Sequence, residues 1–214
     1  LVESVYDKAN NRTRCYFPAD SKTLVSTYDK RNLLRTLKGY HGKVLASDED
    51  SYNGTPELTT YSYNGNGAQQ SCTLPNGQTT VKTFDDADRI ITSQTSSQIL
   101  NTFGNTKIYS VSYKRDAVGN QLEAIEGRAQ NGEDGAEVTR ILKFVYDAVY
   151  QLTDESDDVT GTTVITHYKY DLLGNRLNKN VYHGDTSGSA VEAWTYTSNQ
   201  LNQTSTVHAA LADS

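Results

Sequence analysis

The 214 residues include 20 Lys and Arg against 26 Asp and Glu, a formal charge of −6, and 36% are hydrophobic. Such an acidic chain lacks the basic footprint through which nucleic acid is bound by counterion release, and no apolar run approaches the roughly 18–20 residues of a membrane span. Fifteen Tyr, four Phe and one Trp, set among frequent Val, Ile and Leu, exclude a disordered polymer.

The bias lies in the strand formers. Thr occurs 26 times and Tyr 15 times, against three Pro and no Met. Thr and Tyr favour pleated, half-buried surfaces, so the composition predicts an all-β protein. Without an initiator Met or a signal peptide, the chain reads as an internal piece of a longer protein.

Along the chain, strand-like segments alternate with one recurring turn. It begins at Tyr6-Asp7, returns at Tyr28-Asp29, Tyr63-Asn64 and Phe84-Asp85, and follows the segment of Tyr113 at Asp116. It appears again at Tyr146-Asp147 and Tyr170-Asp171, with a shortened copy after Trp194-Thr-Tyr196. The first turn residues Asp7, Asp29, Asn64, Asp85, Asp116, Asp147 and Asp171 lie 21 to 35 residues apart. An Asp or Asn there accepts hydrogen bonds from backbone N–H groups two or three residues on, which initiates a turn. Three residues later a hairpin built on a type I turn needs a left-handed residue. The sequence places Asn10, Asn32, Gly67, Asp88, Gly119, Tyr150 and Gly174 there, and only Tyr150 is a poor fit. Leu34, Ile90, Leu122, Leu152 or Leu177 then gives an apolar anchor at the next strand.

The strands before the turns alternate: Tyr109, Val111 and Tyr113 form one row, and Leu142, Phe144 and Tyr146 a second. Val164, Thr166, Tyr168 and Tyr170 form a third, with a short fourth at Trp194 and Tyr196. No stretch has a 3.6-residue period of helical length. Residues 48–54, 127–135, 156–161 and 184–189 read as polar loops at the far ends of the hairpins. The expectation is one continuous array over 1–214, about eight hairpins long.

The run Tyr170-Asp171-Leu172-Leu173-Gly174-Asn175-Arg176-Leu177, with its degenerate copies, resembles the RHS/YD repeat. Members of that family include bacterial Rhs and polymorphic-toxin proteins, shell components of insecticidal toxin complexes, wall-associated proteins and teneurins. The resemblance implies an antiparallel strip that spirals into a shell and encloses or presents a C-terminal toxin or effector segment. It implies a structural, non-enzymatic role in a secreted or cell-surface protein, with the rest of the shell and the enclosed segment as partners. The family's core region carries an Asp-Pro motif and a self-cleavage site. No Asp-Pro occurs here, and Pro18, Pro56 and Pro75 all lie in the first third.

No residue is read as catalytic, and no cofactor or metal is called. The acidic clusters Asp48-Glu49-Asp50, Asp85-Asp86-Asp88 and Asp154-Glu155-Asp157-Asp158 lack EF-hand spacing and read as turn or solvated loop residues. His41, His167, His183 and His208 are dispersed, with His167 read as exposed on its strand. The stretch 64–70 begins like a dinucleotide fingerprint but has Gln70 where the third Gly belongs. Cys15 and Cys72 fit either free thiols or, in a secreted parent, a disulfide. Asn11, Asn53 and Asn202 open glycosylation sequons that matter only in a eukaryotic secretory host. The alternative function is a carbohydrate-binding or adhesion module that uses Tyr-rich sheet faces at a cell surface.

Overall fold

A computed structural model describes residues 2–97, 107–129, 137–159, 161–201 and 203–211. The sequon at Asn202 and most of the expected loop 127–135 lie outside them. The described chain is all-β. The chain divides into two units, Leu1–Ile108 and Tyr109–Ser214.

In the first unit the strands are β1 (Glu3–Tyr6), β2 (Arg12–Phe17), β3 (Lys22–Tyr28), β4 (Leu34–His41), β5 (Glu57–Tyr63), β6 (Gln69–Thr73), β7 (Thr79–Phe84) and β8 (Ile90–Ser96). Each pairs antiparallel with its neighbour in chain order. The second unit repeats this order with β9 (Lys107–Arg115), β10 (Gln121–Ala129), β11 (Glu137–Tyr146), β12 (Leu152–Val159), β13 (Thr162–Tyr170), β14 (Arg176–His183), β15 (Glu192–Ser198) and β16 (Thr204–Leu211). The recurring turn closes every odd-to-even hairpin, four in each unit.

Parts of two expected loops are strand instead: residues 127–129 lie within β10, and residues 156–159 lie within β12, which pairs with both β11 and β13. The acids of β12 therefore belong to the sheet. Arg140 on β11 ion-pairs with Asp157, and His167 on β13 hydrogen-bonds to Asp154 opposite it, compensation that a polarity-based reading of one strand cannot see.

The Thr excess has a structural use. Opposed hydroxyls pair across neighbouring strands at Thr27–Thr36 (2.6 Å), Thr73–Thr79 (3.1 Å), Thr80–Thr95 (2.9 Å) and Thr83–Thr92 (2.6 Å). Ser62–Ser71 (2.7 Å) and Thr197–Ser205 (3.0 Å) do the same. Each such pair contributes about 0.2–1 kcal/mol relative to alanines.

Little of either sheet is covered. Among the described residues the buried apolar side chains are Cys15, Val25, Tyr40, Val44, Val111, Ala124 and Val181, and only Val25, Tyr40 and Val44 form a cluster. The described exception is the segment that follows β4. Val44 and Tyr52 fold back on Val25 and Tyr40, the Tyr40 and Tyr52 rings meeting edge-on at 4.9 Å. Thr23 Oγ1 donates to the Gly42 carbonyl (2.7 Å) and accepts from Val44 N–H (3.0 Å). Arg14 donates to the Val44 carbonyl (2.7 Å) and pairs with Glu49, so that acid is structural. Among the described residues the one helical element is a 3-10 turn, Ala46–Asp48. Cys15 is buried, Cys72 half-buried, and both are free thiols.

Candidate functional site

The repeated turn has one construction throughout. In the copy at Asp171, its N–H donates to the Asn175 carbonyl (2.9 Å), and Gly174 N–H donates to the Asp171 carbonyl (3.1 Å). One carboxylate oxygen accepts from Leu173 N–H (2.9 Å) and Asn175 N–H (2.8 Å); the other accepts from the Asn175 side chain (2.9 Å). The same pattern of backbone donors, two and four residues on, recurs at Asp7, Asp29, Asn64, Asp85, Asp116 and Asp147. The expected reach of two or three residues is thus corrected to two and four. The β-bulge that accompanies the left-handed residue brings the fourth amide under the carboxylate. Asp116 also takes the third, from Gly119 (2.7 Å).

All seven residues three places after the first turn residue have positive φ: 64° at Asn10, 63° at Asn32, 92° at Gly67, 57° at Asp88, 107° at Gly119, 65° at Tyr150 and 86° at Gly174. Tyr150 adopts this conformation despite its Cβ. Two further turns share the backbone pattern. Asn199 opens the shortened copy, its side-chain oxygen accepting from Leu201 (2.9 Å) and Gln203 (3.1 Å). Leu74–Gln78 closes β6 to β7 with no side-chain acceptor at its start, and sequence reasoning missed it for that reason. Asn76-Gly77, with Gly77 at φ 80°, was the available signal.

The tyrosine before the turn has a separate role. Tyr28 Oη donates to the Arg12 carbonyl (3.0 Å), Tyr63 to Leu34 (2.8 Å), Tyr146 to Gln121 (3.1 Å) and Tyr170 to Leu152 (2.9 Å). In every case the acceptor is the first residue of the even strand one hairpin back. The tyrosine therefore clips these four hairpins to their predecessors, and Phe84 occupies the equivalent place without a hydroxyl. Neighbouring turns of the first unit are also joined directly. Asn11 donates to Asn32 (3.0 Å), Arg31 to the Asn64 (2.8 Å) and Gly65 (3.0 Å) carbonyls, and Asn64 and Asn66 to Asp88 (2.7 and 2.6 Å). Tyr6, on β1, is exposed, and so is Leu177, which makes it a weak anchor.

These carboxylates should set the acid limit of stability. Hydrogen bonds from the Asn11 side chain to Asp7, the Leu33 N–H to Asp29, the Arg89 N–H to Asp85 and the Asn175 side chain to Asp171 hold each carboxyl below its ordinary value. At Asp116 desolvation is the largest influence and raises the value, but Asn120, Gly119 and Val118 together outweigh it. A pKa lowered by folding adds stability above the unfolded value, lost as pH falls through the folded one. Stability is expected to stay level from neutral pH to about 4 and to fall below it. An amide keeps its acceptor in acid, so an Asp116→Asn/Asp171→Asn variant should show a shallower acid limb in pH-dependent urea melts.

The second unit gathers aromatic and charged side chains on the face that carries Tyr109, Val111 and Tyr113. Arg140 grips Asp157 with two nitrogens (2.8 and 2.6 Å) and lies 3.8 Å from Glu126. Arg128 lies over Tyr109 and is also 3.8 Å from Glu126, whose Oε2 is buried with no hydrogen-bond partner. Glu126, Arg128, Val138, Arg140, Asp157 and Val159 line a cleft of about 340 Å³. Beside it Tyr168 donates to Glu155 (3.2 Å), and Arg176 lies over both Tyr168 and Tyr196. His167, expected to be exposed, is instead half-buried, hydrogen-bonded to Asp154 and in edge contact with Tyr182. Among the described residues no group of His, Cys, Asp and Glu has metal-site geometry.

No protein-family model matches the sequence, and no curated protein matches it. Solved structures match by fold. The crystal structure of TcdB2-TccC3-Cdc42 aligns over 93% of this chain with a TM-score of 0.66 and 14% identity. The Photorhabdus luminescens Tc holotoxin pore aligns over 92% with a TM-score of 0.65 and 15% identity. TcdB2-TccC3 without its hypervariable C-terminal region aligns over 93%, at 0.66 and 15%. This chain spans 10% of the length of each of those chains. It shares its fold with a stretch of Tc toxin chains.

Proposed function

We propose that the chain is a non-enzymatic wall segment of an RHS/YD-type shell, one array across 1–214 that helps enclose or present a toxin or effector segment of a secreted or surface protein. The observation that carries this reading is the single turn construction at the odd-to-even hairpins, each tyrosine clip tying a hairpin to the one before. A strip held by its own periodic contacts needs no opposing layer, which suits a wall. The fold match to TcdB2-TccC3, whose C-terminal region is hypervariable, supports the same reading. Limited proteolysis of the full gene product tests it. A segment outside the array should stay intact under conditions that digest the unfolded product. Digestion of every such segment at the unfolded rate would contradict the reading.

The cleft at Glu126 favours a second reading, a carbohydrate or adhesion module. A carboxylate oxygen that has two arginines at 3.8 Å but no hydrogen-bond partner is suited to a hydroxyl-bearing ligand. In a glycan-binding screen, saturable binding lost in Glu126→Gln and Tyr109→Ala would support this second reading. Absence of binding would leave the cleft as an ion-pair network within the wall.

A further inference from the structure

Asn64 opens its turn with an amide where the other six full copies have an aspartate, and the residue after it is Gly65. Four Asn-Gly pairs lie among the described residues, beginning at Asn53, Asn64, Asn66 and Asn76. In such a pair the glycine nitrogen can attack the preceding side-chain amide, because no Cβ shields it. In three of the four the fold occupies that nitrogen. Gly54 N–H donates to the Tyr52 carbonyl (3.0 Å), Gly67 N–H to Asn64 (3.2 Å) and Gly77 N–H to Leu74 (3.0 Å). Gly65 is exposed, and its N–H has no partner among the described residues.

The turn also prepares the amide that is attacked. Asn64 Oδ1 accepts from Asn66 N–H (3.1 Å) and Ala68 N–H (2.9 Å). The ring closed by the first of these bonds contains both the Asn64 Cγ and the Gly65 nitrogen, so the two reacting atoms are held near each other. Both N–H groups point at the oxygen on which negative charge develops as the nitrogen adds. Asn199 has the same two bonds to its oxygen, from Leu201 (2.9 Å) and Gln203 (3.1 Å), but Gln200 follows it in place of glycine.

We propose that Asn64 is a site of spontaneous self-modification, converted in the folded chain through a cyclic imide to aspartate and isoaspartate. Gly65 N gives its proton to solvent hydroxide and bonds to Cγ, whose carbonyl electron pair moves to Oδ1. Collapse breaks the Cγ–Nδ2 bond, and Nδ2 takes a proton from water and leaves as ammonia. Water then opens the imide at either of its carbonyls. The conversion acts on the joint between two turns. Asn64 Nδ2 donates to Asp88 (2.7 Å), and Asn66 supplies the second bond to the same carboxylate (2.6 Å). Either product puts a carboxylate against Asp88 in place of that donor. Isoaspartate also lengthens the backbone between the carbonyls that Arg31 holds (2.8 and 3.0 Å). The joint therefore loosens as the protein ages. The proposal does not depend on the wall reading, and either can fail alone.

Site-resolved peptide mapping by mass spectrometry, after ageing of the native chain in mildly alkaline buffer, tests it. Asn64 should convert at least about tenfold faster than Asn53, Asn66 and Asn76, and Asn199 should stay unmodified. In urea the rates of the four Asn-Gly pairs should converge, since unfolding frees every glycine nitrogen. Gly65→Ala should slow conversion of Asn64 by more than about tenfold. A Cβ on Gly65 meets nothing within 4 Å, so that variant keeps its turn. Asn64→Asp, the aspartate product made directly, should melt at a lower temperature than the parent, and a second change, Asp88→Asn, should recover most of the loss. Conversion of Asn64 no faster than that of the other three, or equally fast in Gly65→Ala, would overturn the site. An unchanged melting temperature in Asn64→Asp would overturn the loosening of the joint.

Discussion

Tyr63→Ala is expected to destabilise the chain by about 3 kcal/mol, and Tyr63→Phe by about 1 kcal/mol, in urea melts. The alanine variant loses a half-buried ring and opens space between two hairpins, whereas the phenylalanine variant loses only the bond to the Leu34 carbonyl (2.8 Å). Burial raises the Tyr63 hydroxyl above its ordinary pKa, as expected of a group shielded from water. The same two-step pattern should appear at Tyr146 and Tyr170, which donate to Gln121 and Leu152. Equal stability of Tyr63→Phe and the parent chain would mean the clip contributes nothing and the ring alone matters.

Gly174→Val is expected to cost about 2–3 kcal/mol, while Tyr150→Gly should be neutral or stabilise by up to about 1 kcal/mol. The two residues occupy the same place in consecutive turns, at φ 86° and 65°. A Cβ on Gly174 would lie 3.1 Å from the Gln151 side-chain nitrogen, and a β-branched residue is strained at that φ in any case. Tyr150 already bears that strain and is 60% exposed, so glycine relieves it while little packing is lost. The greater freedom of glycine in the unfolded chain offsets part of the gain. Thermal melts of the two variants should move in opposite directions or differ by several degrees.

What the sequence made legible was local. The Asp or Asn at the start of each turn and the residue three places on are close in sequence, and hydrogen bonds within five residues fix their geometry. Even Tyr150, the wrong residue type for its place, could be located from the spacing alone. What was not legible depended on pairing. Asp154, Glu155, Asp157 and Asp158 look like a solvated loop until the strand pairing brings Arg140 to Asp157 and His167 to Asp154. The tyrosine clips link residues 16 to 29 apart, and the residues between them are too variable in number to reveal the partner. The turn at Leu74 was hidden because its backbone closes without the side-chain acceptor that marks the others.

Residue-resolved hydrogen exchange of the native chain most directly tests the claim that one turn construction repeats along the array. Each turn should protect the amides of its first, third, fourth and fifth residues and leave the second to exchange at the rate of a free chain. In the second unit that means protection at Asp147, Val149, Tyr150 and Gln151, and at Asp171, Leu173, Gly174 and Asn175, with fast exchange at Ala148 and Leu172. Fast exchange at Gln151 and Asn175, matching Ala148 and Leu172, would contradict it, because the carboxylates would then not be holding the turns.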